Sequence, residues 1–401
     1  MHNIILFDDH RWNSLLPLTF TRPVSELRIG ILTLKEKWEK YFGTSASYLT
    51  QSYLAGKYPI YAANDNLLIN GALLPEYKII EQIRALQPGQ VLMQDDNLLA
   101  ARLPGDDLHS LTPGSALLTA LKERHEIIAA KSGTTLISRP FHIFSLNGSE
   151  LEKDFKLITT GRRSQPYTSS NTVFGKHPIF LEEGVYMECC IINTNEGPVY
   201  LGKDTQIMEG SIIRGGFAAC TGSIVKMGAK IYGPTTIGPN CRLGGEVNNS
   251  VLLANSNKGH DGFLGNSVIG EWCNLGADTN TSNLKNNYLP VKIWSYPDNG
   301  FKDTGLQFCG LIMGDHSKSG INTMFNTGTV VGVAANIFGD GFPRTYIPSF
   351  SWGGAAGFIT HQLKKALETS SIVLKRRNTE LTREDINILE YIFSLGDKVN
   401  P

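Results

Sequence analysis

Every sixth residue from Leu201 onward is apolar: Ile207, Ile213, Ala219, Val225, Ile231, Ile237 and Leu243. Two residues before these rungs stand Thr205, Ser211, Phe217, Ser223, Ala229, Thr235 and Cys241, nearly all small. One residue earlier come Asp204, Gly210, Gly216, Gly222, Gly228, Pro234 and Asn240, residues that tolerate or preset turn dihedrals. An α-helix cannot put every sixth residue on one face, and a plain strand repeats every two. A period of six fits a parallel β-helix, in which each short strand sends one aliphatic inward and then bends at a corner. Three such repeats close one triangular coil.

The ladder breaks and resumes. After Leu243 its phase shifts, and Val251, Phe263, Ile269 and Leu275 continue in sixes or multiples of six, with Ser267 and Cys273 two before their rungs. A third stretch reads Met313, Ser319, Phe325, Val331 and Ile337; Met324 adjoins Phe325, so one of the two is expected to point outward. Residues 284–308 lack the period and contain Pro290, Trp294, Pro297 and Gly300, which predicts a loop excursion from the coil. Insertions of this kind often build the binding face of a solenoid.

Residues 1–175 have a different texture. Asn3 to Phe7 is a short apolar run delivering Asp8 and Asp9 to a loop, Leu67 to Ile69 and Val91 to Met93 are further strand candidates, and helical spacing covers Ile31 to Tyr41 and Gly114 to Ala130. Strands alternating with helices predict an α/β domain with a mainly parallel sheet. Residues 176–354 form the β-helix, and residues 355–401 a helical cap: one helix from Ala355 to Arg377 and a second N-capped by Thr382 with Asp385 three residues on.

The 401 residues suffice for two or three cores, and the net charge is zero. No basic stripe suggests nucleic acid. The opening Met1 to Asp9 is too short and acidic for a signal peptide, and no apolar run reaches membrane-spanning length, so a cytoplasmic chain without a membrane partner is expected. The six cysteines form no C-x-x-C pair, and Cys220, Cys241 and Cys273 fall at or near coil positions, as reduced core residues would.

Within the second solenoid stretch runs Lys258-Gly259-His260-Asp261-Gly262-Phe263-Leu264-Gly265, continuing through Cys273-Asn274-Leu275-Gly276-Ala277 to Asn283. This resembles the acetyltransferase half of bifunctional N-acetylglucosamine-1-phosphate uridylyltransferases, with matching spacing from Glu246 to Asn283. The segment Leu15-Leu16-Pro17-Leu18-Thr19-Phe20-Thr21-Arg22-Pro23-Val24 more loosely resembles the P-L-T-x-x-x-P-K segment of sugar nucleotidyltransferases. The resemblance implies a left-handed β-helix, a homotrimer, and acetyl-CoA bound between neighbouring subunits. It implies that His260 is the general base taking a proton from the amine of glucosamine-1-phosphate, a role suited to a group that titrates near neutral pH. By the same carry-over Asn274 and Phe263 would bind the sugar, while Ala277 and Asn283 would line the acetyl-CoA site. Lys230 falls where the family has a phosphate-binding Arg, and Arg242 is a second cation. Asn248 replaces the family Lys twelve residues before the His, and Phe263 stands where a Tyr hydroxyl is usual. A solvated turn His, a corner Asn274 and surface charges at Lys230 and Arg242 are the plainer alternatives.

The first domain departs further from the family. Its Gly-rich triphosphate loop is replaced by Phe7-Asp8-Asp9-His10-Arg11-Trp12-Asn13-Ser14, Val24 stands at the lysine position, and the strand through Ile69 ends in Asn70 rather than an acid. Arg11 and Arg22 are the candidates for UTP phosphates, and Asp8 and Asp9 for Mg²⁺. Three functions remain open. The first is acetyl transfer to glucosamine-1-phosphate, with uridylyl transfer to make UDP-N-acetylglucosamine as a second activity. The second is acetyl transfer to another amino-sugar phosphate or nucleotide sugar. The third is a non-catalytic nucleotide-sugar-binding regulator or scaffold.

Overall fold

The computed structural model describes residues 3–108, 113 and 115–396. It divides into two compact units that interleave in sequence: Met1–Leu15, Thr21–Leu27 and Leu32–Arg139 in one, Leu16–Phe20, Arg28–Ile31 and Pro140–Pro401 in the other.

The first unit is built on strands β1 (Asn3–Phe7), β2 (Ala46–Leu49), β3 (Asp65–Asn70), β4 (Gln90–Gln94), β5 (Asn97–Pro104) and β6 (Glu126–Ala129), in the order β2-β1-β3-β5-β4-β6. The apolar run Ile4 to Phe7 is buried throughout, as a central parallel strand requires. β1 pairs in parallel with β2 and β3, and β4 with β6, but β5 runs antiparallel to both β3 and β4. The sheet is therefore mainly parallel, as expected, with β5 alone reversed. The cause is local: only Asp95 and Asp96 separate β4 from β5, Asp95 takes φ 52°, and so tight a turn joins antiparallel strands. The predicted helix at Ile31 starts later, at Leu34, because Thr33 and Glu36 form a capping box there, and Gly43 at φ 70° ends it after Phe42. The helix expected over Gly114 to Ala130 covers Ser115–Arg124 and then gives way to β6, whose Ile127 and Ile128 favour an extended chain. Gly114 itself lies outside the described residues.

In the second unit the six-residue ladder closes a parallel β-helix with six-, nine- and ten-stranded faces. All eight rungs from Leu201 to Leu243 are at most 1% exposed and join one core, together with Met313, Phe325, Val331 and Ile337. Met324 is the member of its pair that points outward. The phase shift has a simple origin. Face two stacks Ala219 on Ile237 and Ile237 on Leu252, and this last coil is shorter than the one before it. The shift also corrects two rungs: Leu252 and Leu264, not Val251 and Phe263, face the core. Phe263 is thereby turned outward.

The excursion is not simply a loop. Lys292–Ser295 and Gly300–Asp303 form an antiparallel hairpin, and the Trp294 ring stacks on Tyr346 with centroids 4.0 Å apart. The helix expected from Ala355 is likewise corrected. Ser351–Gly354 and Gly357–Thr360 pair as a hairpin that extends the third face, with Gly353 and Gly357 at φ 143° and 131°, and the helix begins only at Leu363 and runs to Lys375. Arg383–Ser394 is the last helix, with the capping box of Thr382 and Asp385 in place. A further helix, His142–Thr159, had no counterpart in the sequence reading; Asn147 Nδ2 donates to Pro234 O (2.9 Å), and a Cβ on Gly148 would lie 2.8 Å from Pro234 Cγ. Among the described residues no helix is long and apolar enough to cross a membrane.

Candidate active site at a solenoid corner

His260 sits in the turn between the strand Asn257–Lys258, on the ten-stranded face, and Phe263–Gly265, on the six-stranded face. The imidazole is exposed. Successive coils stack at this corner: a Cβ on Gly245 (φ 73°) would lie 2.8 Å from His260 O, and Asp278 N donates to Asp261 O (3.1 Å) from the coil above. Ala277 therefore occupies the same corner as His260, one coil on. Glycine at 245 is required both by its backbone angle and by this close approach.

Phe263, Glu246 and Lys230 lie side by side on adjacent strands of the six-stranded face, as do Gly265, Asn248 and Tyr232. Tyr232 donates its hydroxyl to Glu246 Oε1 (2.7 Å), and burial followed by that carboxylate pushes the phenol up to about 12. The exposed Lys230 lines an open hollow of about 350 Å³ with Tyr232, Ile212, Arg214 and Glu196. Arg214, which sequence reasoning passed over, is a second cation there, 2.7 Å from Glu196. Asn248 offers no charge in place of a lysine, and its Oδ1 packs over Gly233, where a Cβ would come within 2.4 Å. Above Phe263 the backbone ladder stops. The next coil is held by side chains instead: Phe263 N donates to Asn280 Oδ1 (2.8 Å) and Gly265 N to Thr281 Oγ1 (3.4 Å). Asn283 donates to Asn266 Oδ1 (2.8 Å), and its amide shares the space over Gly265 with the Phe263 ring.

Asn274 and Arg242 belong to the other face of the corner. Arg242, Asn257 and Asn274 form one column, with Asn257 Nδ2 donating to Asn274 Oδ1 (3.3 Å). Arg377, beyond the helix Leu363–Lys375, closes on this column by donating to Asn257 Oδ1 (3.0 Å) and Asn240 O (2.7 Å). The structure thus gathers His260 with Ala277 at the corner and Phe263, Asn248, Lys230 and Asn283 on one face, and separates them from Arg242 and Asn274. One buried residue of the corner escaped the sequence reading. Lys258 is fully buried, with its ammonium on backbone carbonyls of the His260 turn.

In the first unit the order β2-β1-β3 puts a topological switch at the carboxyl ends of β1 and β3, where ligands bind in open α/β sheets. Asp9, Arg11 and Asn70 meet there. Asp9 is ion-paired with Arg11 and accepts from Asn70 Nδ2 (2.9 Å), and Arg11 also donates to Asn97 Oδ1. Arg11 and Arg22 are both buried. Asp8 points inward, accepting from Val24 N (2.9 Å) and Thr50 Oγ1 (2.6 Å). Mg²⁺ does not fit Asp8 and Asp9 so arranged. Both Asp8 oxygens are engaged by internal donors, the Asp9 charge is met by Arg11, and among the described residues no group of three His, Cys, Asp or Glu could hold a metal.

Burial pushes the Asp8 carboxyl up to about 7, against the opposing pull of the Thr50 and Val24 hydrogen bonds. The neutral acid is thus favoured by folding. Its support is complete below the unfolded value of about 4 and is lost as pH rises through about 7. Asp8→Asn, a mimic of the neutral acid, is expected to remove most of the fall in melting temperature between about pH 5 and pH 8. Thermal melts at the two pH values check this, and a decline as steep as in the parent would refute it.

Residues 4–163 match the family model described as sugar nucleotidyl transferase, a span that runs past the first unit into the helix His142–Thr159. The bifunctional protein GlmU of Methanocaldococcus jannaschii is 37% identical over 87 residues, 22% of this chain and 21% of the relative. The chain is similar to sugar nucleotidyl transferases over residues 4–163 and to GlmU proteins over part of its length. It matches only about a fifth of the length of that GlmU relative. A putative uncharacterized acetyltransferase of Escherichia coli, YaiX, is 27% identical over 35% of this chain and 61% of its own length. The solved structure of the polySia specific acetyltransferase NeuO aligns over 52% of this chain and 100% of its own at 15% identity, with a TM-score of 0.29, too low to carry an argument.

Proposed function

We propose that this GlmU-like chain is an N-acetyltransferase that moves acetyl from acetyl-CoA to the amine of glucosamine-1-phosphate, working as a homotrimer. The observation that carries this reading is the corner itself: an exposed His260 with Ala277 one coil above and an outward Phe263 beside it, on the face that bears Lys230. An ammonium cannot attack a thioester. The imidazole takes the proton from the amine as the N–C bond forms, and passes it to the CoA thiolate as the C–S bond breaks. Lys230 meets the sugar phosphate, Phe263 packs on the sugar, and Ala277 and Asn283 border the acetyl-CoA. The neutral Asn248 and the hydroxyl-free Phe263 also suit a different amino-sugar phosphate, which makes the acceptor the open variable.

No step of uridylyl transfer is derived from the first unit, whose crevice carboxylates are engaged by the protein's own donors. The test incubates the protein with acetyl-CoA and glucosamine-1-phosphate, glucosamine-6-phosphate or UDP-glucosamine, with and without UTP and Mg²⁺, and identifies products by mass spectrometry. Acetylated glucosamine-1-phosphate with stoichiometric free CoA is the expected result. Transfer to none of the amines would overturn the reading. Light scattering that returns the 44.0 kDa chain mass rather than its triple would overturn the trimer.

A further inference from the structure

Lys258 occupies an interior rung of the β-helix. It lies across from Leu243 on the coil below, and Leu275, which follows the partner of Asn257, stands on the coil above. Both leucines are core residues, and Lys258 is 0% exposed. Its chain runs through apolar surroundings to the corner, where Nζ donates to His260 O (2.5 Å), Asp261 O (3.0 Å) and Gly244 O (3.4 Å). Three ammonium protons thus meet three carbonyls, two from the His260 turn and one from the turn beneath. An aliphatic at this rung would fill the core equally well and would leave those carbonyls without this donor. Burying a charge among leucines is costly, and replacing such a charge by an apolar residue of similar volume is often neutral or stabilising.

We propose that Lys258 is a positioning residue that clamps the His260 turn from inside the solenoid and so fixes where the imidazole stands over the corner. For its kinetic consequence this rests on the acetyl-transfer reading; for its structural consequence it does not. The ionisable groups acting on the ammonium are Asp261 of its own turn and Asp278 of the turn above, while the strands below and above present leucines. Burial pulls the ammonium down to about 8, against the pull of Asp261 and Asp278. Above that pH the neutral amine keeps one donor fewer for the three carbonyls.

The experiment compares Lys258→Met with the parent by amide exchange, melting and kinetics. Amides of residues 259–262 are expected to exchange at least about tenfold faster in the variant, with melting temperature unchanged or higher. Turnover at saturating substrates should fall at least about tenfold while both KM values stay within about threefold, the signature of a misplaced base rather than lost binding. Parent turnover should also decline as pH rises through about 8, a limb absent from the variant and one that needs no variant to be seen. Unchanged exchange at 259–262 overturns the clamp, as does faster exchange with parent-like turnover. A melting temperature lowered by more than about 5 °C would assign Lys258 to stability and overturn it too. If the parent transfers no acetyl to any amine, the function falls, and the exchange data still decide the clamp.

Discussion

His260→Ala is expected to lower acetyl turnover by about 10²- to 10⁴-fold while leaving the fold intact. The loss follows from chemistry: without an imidazole, the amine proton has only water to go to. The retained stability follows from geometry, because the side chain is exposed and the bond that holds the turn, Lys258 Nζ to His260 O, uses the backbone that alanine keeps. A surface side chain of this kind is worth within about 0.5 kcal/mol of stability. Steady-state turnover with saturating acetyl-CoA, beside a thermal melt, checks both halves. Parent-like turnover would mean that another group takes the proton, and an unfolded variant would mean that the imidazole supports the corner.

Gly238→Ala should do the reverse and destroy the fold without touching a reacting atom. A Cβ at this corner would lie 1.5 Å from Leu253 O and 2.5 Å from its carbonyl carbon. Those are backbone atoms of the next coil, which is the shortened coil at the phase shift, and Gly238 N donates to Leu252 O there (2.8 Å). Relief would need the two coils to part, breaking that ladder and unseating Leu252 from the core. We expect a loss of at least about 4 kcal/mol, seen as insoluble expression or a collapsed urea midpoint. Gly133→Ala is the control, since nothing lies within 4 Å of its Cβ, and it should change stability by less than about 0.5 kcal/mol. A Gly238→Ala protein that melts like the parent would refute the packing described for this corner.

The solenoid was legible because its signal is carried by side-chain size and turn residues at a fixed period, and the rungs from Leu201 to Leu243 needed nothing else. Legibility failed where the period slips. The inward positions Leu252, Lys258 and Leu264 keep the six-residue step through the His260 turn, and the slips fall on either side, from Val247 to Leu252 and from Leu264 to Ile269. Residue type alone does not reveal them, because Phe263 and Leu264 are both large and apolar. The antiparallel β5 was hidden in a two-residue turn of two aspartates, which is also an ordinary surface loop in sequence. Asp8 and Lys258 were illegible for one physical reason: charged residues usually face water, and only the surrounding fold shows that these two do not. The separation of Arg242 and Asn274 from Phe263 is a matter of which triangular face each strand joins, information that a list of spacings does not hold.

The interleaving of the two units limits how such a chain can be divided. Gly30 and Ile31 arrive from the far end of the sequence, and their amide N–H groups are taken up by the buried side chains of Asn147 (2.8 Å) and Asp154 (2.8 Å), in the same unit as the β-helix. A fragment beginning at Pro140 would carry the whole coil and still expose an amide oxygen and a carboxylate oxygen built to meet those two donors. A gene cut once between sheet and solenoid therefore yields no self-sufficient half, and exchange of either half with a relative must carry the short stretch around Gly30 along with the β-helix it serves.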